Sequence, residues 1–131
     1  MADLNEQQSV SESELAPFQG SWKPVAVEVD GSPVPPHEYQ DARLVIAGDR
    51  FLLWNPLPDA GQRLEGSIRV DPSKTPKHLD LRLDGGQAFQ EVYELEGDTL
   101  RVCYPVRGGA RPTPLRTAPG SGLSLAVYRR E

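Results

Sequence analysis

Single-residue alternation of apolar and polar side chains runs cleanly through two stretches of this chain. In residues 63–70, Leu64, Gly66, Ile68 and Val70 oppose Arg63, Glu65, Ser67 and Arg69; in residues 78–83, Leu79, Leu81 and Leu83 oppose His78, Asp80 and Arg82. A period of two is that of a strand with one face buried. Similar segments at 21–29, 42–46, 50–55, 88–95, 99–104 and 123–130 bring the expected strands to eight. Most are separated by turn signals: Asp30-Gly31, Ala47-Gly48-Asp49, Asp84-Gly85-Gly86 and Glu96-Gly97-Asp98. The pattern predicts an all-β fold, an eight-stranded antiparallel up-and-down barrel of the size that can hold one small ligand. A flattened two-sheet sandwich is the alternative. Segment 21–29 alternates less cleanly, because Val25, Val27 and Val29 oppose Trp22 and Ala26. That asks for a bulge or for apolar cover on both faces. Pro24, inside the same segment, suits a strand start, an edge or a bulge.

The two ends suit a barrel that closes on itself. An indole at Trp22 on the first strand and a guanidinium at Arg130 on the last can meet in a cation–π contact across the base. Arg129 is the alternative partner, since a shift of one residue reverses its face. Ser11, Glu12, Ser13 and Glu14 have the N-cap and first-turn chemistry of a short helix running to about Phe18, placed to cover one end of the barrel. Residues 1–10 read as a disordered tail, leaving 11–131 as the domain.

Composition narrows the function classes. A chain of 131 residues favours one domain, and its 13 prolines and 12 glycines fall mostly between the apolar segments, where strands are punctuated. The single cysteine, Cys103, allows no intrachain disulfide, and the polar, acidic start lacks the pattern of a secretory signal; both fit the cytoplasm. A net charge of -5 with scattered Lys and Arg offers no basic stripe for nucleic acid. No stretch approaches the ~18 apolar residues of a membrane span. His37, His78 and Cys103 are far apart and on different elements, so neither a metal nor another cofactor is expected.

The order of short motifs resembles an uncharacterised lipocalin-like domain family known mainly from planctomycetes and related bacteria. The pieces that carry the resemblance run from Phe18-Gln19-Gly20-Ser21-Trp22 through Asp30-Gly31 and residues 44–51. They continue with Gly66, residues 71–77, Asp80-Leu81, residues 92–100, Cys103, Arg111-Pro112 and Arg130. The resemblance covers residues 16–130. It implies the barrel, and it implies no common activity. Glu91 departs from it, standing where the family tends to place a small residue.

Glu91 is also the residue with the most chemical interest. It shares a face with Phe89 and Tyr93, so if those aromatics point inward a carboxylate does too. Such a group is costly unless paired. Arg101 on the next strand is the expected partner, and Glu28 a second candidate inward acid. Trp54 and Tyr104 lie near strand ends, where barrel mouths present aromatics to ligands. The expected ligand-binding set is therefore Trp54, Phe89, Glu91, Tyr93, Arg101 and Tyr104. Arg111 reads as a salt-bridge residue tying its loop to the rim, and Cys103 as a small buried apolar residue. Binding of a small apolar or amphipathic molecule is the leading reading. A protein-interaction module working through loops 32–41 and 105–122 is its rival, and a barrel cyclase or isomerase using Glu91 with Tyr93 or Tyr104 is a third. Interior volume discriminates the first two: a barrel filled by Trp22, Phe51, Leu64, Ile68, Leu79 and Leu81 leaves no room for a ligand.

Overall fold

A computed structural model of the chain describes residues 14–54 and 63–131. The expected tail, the capping residues 11–13 and the end of the third strand at Asn55 lie outside the described residues. A 3-10 turn at Ala16–Phe18 leads into β1 (Gly20–Val29), the two-residue β2 (Ser32–Pro33) and a second 3-10 turn at Pro36–Glu38. The other strands are β3 (Arg43–Ala47), β4 (Arg50–Trp54), β5 (Arg63–Asp71), β6 (Lys77–Leu83), β7 (Ala88–Glu96), β8 (Thr99–Pro105) and β9 (Leu123–Arg130). Each neighbour from β3 to β9 pairs antiparallel with the next, and β1 pairs with both β3 and β9. The eight long strands thus form a closed up-and-down barrel. Over the described residues the expected N-terminal helix is mainly the single 3-10 turn, held by Pro17 and buried at Phe18.

Closure depends on an irregularity in β1. Trp22 and Pro24 pair with Arg130 and Tyr128 of β9, and the register then shifts before Ala26 pairs with Val127. The extra residue is Val25, which is 43 % exposed. A bulge of this kind reverses the face of everything beyond it. Trp22 and Pro24 therefore point inward, and so do Val27 and Val29, opposite Ala126 and Ser124. One bulge removes the conflict in the β1 pattern and gives Pro24 a position where its missing N–H costs little.

The base of the barrel is sealed by Trp22, which is wholly buried and donates from Nε1 to the Phe18 carbonyl at 2.8 Å. The Arg130 guanidinium lies 4.2 Å from the centre of the indole ring. Its Nε donates to the Asp98 carboxylate at 2.9 Å and its terminal nitrogens to the carbonyls of Pro17 and Gln19. The 3-10 turn, the β7–β8 turn and the last strand are thereby tied to one side chain. Phe18 meets Tyr93 edge-on with ring centres 5.2 Å apart, completing the plug. The outer wall carries exposed charges at Arg63, Glu65, Arg69, Arg82, Glu94 and Arg101.

β5 and β6 cross closely at Gly66, where a Cβ would fall 1.9 Å from the Arg82 carbonyl oxygen. No side chain can relieve an overlap with backbone, so this position admits only glycine. The β1–β2 hairpin has positive φ at both Asp30 (53°) and Gly31 (81°), the two-residue turn that suits the twist of paired strands.

Three substitutions test this frame by chemical denaturation. Trp22→Ala is expected to destabilise the fold by about 3–5 kcal/mol, as for other buried aromatics. Arg130→Met removes the ring contact and several charge-assisted hydrogen bonds, and is expected to cost roughly 2 kcal/mol or more. Gly66→Ala forces the strands apart and is expected to cost about 3 kcal/mol or more. Unchanged midpoints would refute the base-plug assignment for the first two and the close crossing for the third.

Candidate functional site

Above the plug the barrel is hollow. The inward residues of β3 to β6 are apolar: Leu44, Ile46, Phe51, Leu53, Leu64, Ile68, Leu79, Leu81 and Leu83. With inward residues of β1 and β7 to β9 they enclose a cavity of about 230 Å³. That is larger than the ~150 Å³ apolar cavities that accept benzene, and smaller than the ~300–1,000 Å³ of drug-sized sites. Among the described residues the cavity is lined by one acid, Glu91, and by the hydroxyls of Ser124, Tyr104 and Tyr128. No Lys, Arg or His lines it among those residues, and residues 1–13 and 55–62 contain none.

The polar groups gather on one wall because of strand register. Tyr104 of β8 pairs directly with Ser124 of β9. One position beyond the β7–β8 pair Val92–Cys103, Glu91 comes level with Tyr104. Glu91, Tyr104 and Ser124 thus form a row across three adjacent strands, all facing the interior, with Leu79 next to Glu91 on β6. Glu91 is only 6 % exposed, and its carboxylate makes no hydrogen bond or ion pair among the described residues. Ser124 lies beside the Tyr104 phenol and holds its pKa down against the upward push of burial. The contact falls short of hydrogen-bond geometry, however, and leaves Ser124 Oγ the one fully buried side-chain polar atom without a partner among the described residues.

Burial pushes the Glu91 carboxyl up to about 8, with the Asp80 charge adding to the rise and Arg111 opposing it. At neutral pH Glu91 is mainly the neutral acid, able both to donate and to accept a hydrogen bond. Arg111 acts from outside the wall. Its guanidinium crosses the outer face of β6 and β7, donating to the main-chain carbonyl of Glu91 at 2.7 Å and to the Asp80 carboxylate at 2.6 Å. The loop between β8 and β9 is fastened there and again where the Cys103 thiol donates to the Arg116 carbonyl. Burial pushes the Cys103 thiol up, which suits a packing role beneath the loop rather than a nucleophile.

Of the six expected ligand-binding residues, Phe89, Glu91 and Tyr104 line the cavity and the other three do not. Trp54 is on the outer face, 42 % exposed, with Arg63 5.4 Å from its ring centre. Strand alternation puts Phe51 and Leu53 inward and so sends Trp54 out. Tyr93 does face inward, but at the depth of the plug, against Phe18. Arg101 is exposed and pairs across the outer surface with Glu94, so it is not the partner of Glu91. Glu28 also faces outward, where it accepts a hydrogen bond from Thr117. Arg130 rather than Arg129 covers Trp22. Ser124 and Tyr128 went unrecognised as interior polar groups; alternation back from Arg130 through Tyr128 and Ala126 to Ser124 was the signal that could have found them. Among the described residues no three His, Cys, Asp or Glu side chains come together to hold a metal. No helix among them is long and apolar enough to cross a membrane.

The class of molecule these features define is a closed β-barrel with an apolar cavity and, among the described residues, a single unpaired acid on its inner wall. Comparison with protein-family models, with curated proteins and with solved structures finds no match for this chain, so its functional reading rests on the site.

The raised Glu91 pKa makes the stability of the ligand-free fold depend on pH. In the unfolded chain Glu91 ionises near its ordinary value of 4.5; in the barrel it holds its proton to about 8. Between those values the folded state binds the extra proton, so stability falls as pH rises through that window, by on the order of 5 kcal/mol in total. Glu91→Gln is expected to remove this term: its denaturation midpoint should exceed that of the parent chain near pH 8.5 and match it near pH 4. Equal midpoints at the higher pH would mean that the Glu91 carboxyl is paired or solvated.

Proposed function

We propose that this protein is a small-molecule carrier or sensor domain of the lipocalin-like kind, binding an amphipathic compound inside the barrel. The single observation that carries the reading is the hollow interior: Phe51, Leu64, Ile68, Leu79 and Leu81, which would have to fill a solid barrel, instead line a cavity of about 230 Å³. Scaled from the benzene-sized case, that space suits a ligand of about nine non-hydrogen atoms. Its body would lie against the leucine-rich wall of β3 to β6, and its polar end against Glu91, Tyr104 and Ser124. A few polar groups in an apolar pocket is the usual design of a binding site, with the apolar area supplying affinity and the polar groups orientation.

Membership of the planctomycete-type lipocalin-like family is part of the same proposal, supported by the Trp22–Arg130 base and the glycine-dependent crossing at Gly66. The interaction-module reading has less support. The loop between β8 and β9 is pinned by Arg111 and by Cys103, and its end is tied to the β1–β2 hairpin through Asp30, which accepts from the Gly122 N–H at 2.6 Å. The catalytic reading keeps one of its two expected tyrosines: Tyr93 is at the plug, and Tyr104 stands beside Glu91, but burial pushes its phenol up and leaves it a neutral group rather than a base near the acid.

Cavity occupation is tested by nuclear magnetic resonance with 2-phenylethanol. Binding is expected to shift resonances of inward residues on β5 to β9, and Leu81→Trp, which puts an indole into the cavity, is expected to weaken that binding without lowering the denaturation midpoint. Shifts confined to the outer surface, or an affinity unchanged by Leu81→Trp, would refute the reading.

A further inference from the structure

Resting on that reading, we propose that the cavity is selective for small lipophilic amines, with the ligand's ammonium held by Glu91 and by the hydroxyls of Tyr104 and Ser124. Three observations on independent elements support it. The Glu91 carboxyl is almost wholly buried, faces the cavity and has no hydrogen-bonding partner among the described residues. Ser124 Oγ, two strands away in the same row, is also buried and unpartnered. Finally, no cationic side chain lines the cavity among the described residues, and the remaining residues of the sequence contain none.

These facts sort the ligand classes by charge. A carboxylic acid such as a fatty acid would find no counter-ion inside and would face a second acid. A neutral alcohol would hydrogen-bond to the row with Glu91 left as the neutral acid, and so would gain no charge pairing. A primary ammonium has three N–H donors and no acceptor. The row offers a carboxylate and two hydroxyl oxygens on β7, β8 and β9, which match it in number and in charge. Folding has already removed the neutral Glu91 carboxyl from water, so binding has to desolvate the ligand's head and ionise the acid, and the attraction between the two charges, acting in an apolar surrounding, offsets both.

The proton balance follows. The free amine is an ammonium and the free site a neutral carboxyl; the complex pairs ammonium with carboxylate, so one proton leaves the Glu91 oxygen for solvent on binding. The groups that bear on this proton are Asp80 on β6, Arg111 from the β8–β9 loop, Cys103 and Tyr104 on β8, and Tyr128 on β9. Of these only Arg111 favours the carboxylate, and it lies outside the wall, engaged by Asp80. The tyrosine and cysteine hydroxyls and thiol are pushed up by burial and stay neutral in the relevant range.

The test is calorimetric titration of the whole chain with three matched probes, 2-phenylethylamine, 2-phenylethanol and phenylacetate. The amine is expected to bind at least about tenfold more tightly than the alcohol near pH 7.5, with phenylacetate weakest. Its affinity should rise about tenfold per pH unit below about pH 8, with one proton released per molecule bound, as read from buffers of different ionisation heat. The alcohol's affinity should not change over that range. Glu91→Gln should abolish the amine's advantage and its pH dependence while leaving alcohol binding in place. If the alcohol binds as tightly as the amine, if phenylacetate binds best, or if the amine profile is flat with pH, the amine assignment is overturned and cavity binding stands. If none of the three binds, both fall.

Discussion

The stack of the Arg130 guanidinium on the Trp22 indole joins the last strand to the first, and the cavity exists because of it. A sheet of strands has two edges, each with a row of unpaired main-chain groups. Closing it removes both, but the interior of a closed cylinder needs a floor. Here the floor is the Trp22 indole packed with Phe18 and Tyr93, and the guanidinium stacked on it donates to Asp98 and to the carbonyls of Pro17 and Gln19. One residue therefore satisfies the ends of three different segments. With the bottom sealed by Trp22, Phe18 and Tyr93, the residues above need not fill the barrel to keep water from the core.

The bulge at Val25 is the second constraint, because it decides which β1 side chains face the cavity. Without it, inward Trp22 would put Ala26 and Glu28 inward and turn Val27 and Val29 to solvent. With it, Val29 completes the apolar mouth opposite Ser124, and Glu28 turns outward to accept from Thr117 in the long loop. The same loop sets Arg111 across the outside of the wall that carries Glu91. The acid and its nearest cation are thus on opposite faces of one sheet. Proximity is enough to moderate the Glu91 pKa, yet the sheet prevents an ion pair.

The fold was largely legible because its information is local. Period-two segments and Gly- or Asp-containing turns place each long described strand within a residue of its observed limits, and the face of Glu91 follows from Phe89 and Tyr93 by counting twos. What alternation cannot supply is depth along the barrel axis or the path of a loop. Tyr93 and Phe89 have the same parity but lie at the plug and in the cavity respectively. Arg101 was an attractive partner for Glu91 because the strands are neighbours, but its own parity, opposite to Leu100 and Val102, sends it out. Arg111 lies in a segment with no period at all, so its contact with β6 and β7 depends on tertiary packing that no spacing rule encodes.

An unpaired acid in an apolar wall is hard to explain as architecture. Leu79 and Tyr104 flank Glu91 on either side, and an aliphatic side chain there would bury apolar area without an orphaned polar group. Removing the acid and filling the space would also relieve the strain that the carboxyl places on the fold above its ordinary pKa. Positions where a local rule is broken with no compensation nearby are characteristically sites of function. The position of Glu91 strengthens the point. It stands in one row with Tyr104 and with Ser124, a second polar side chain without a partner, and three adjacent strands present those groups to the same space. Two unrelated defects would have no reason to share a level of the barrel. The amphipathic ligand proposed for the cavity would satisfy both at once, with the rest of it against the leucine wall opposite.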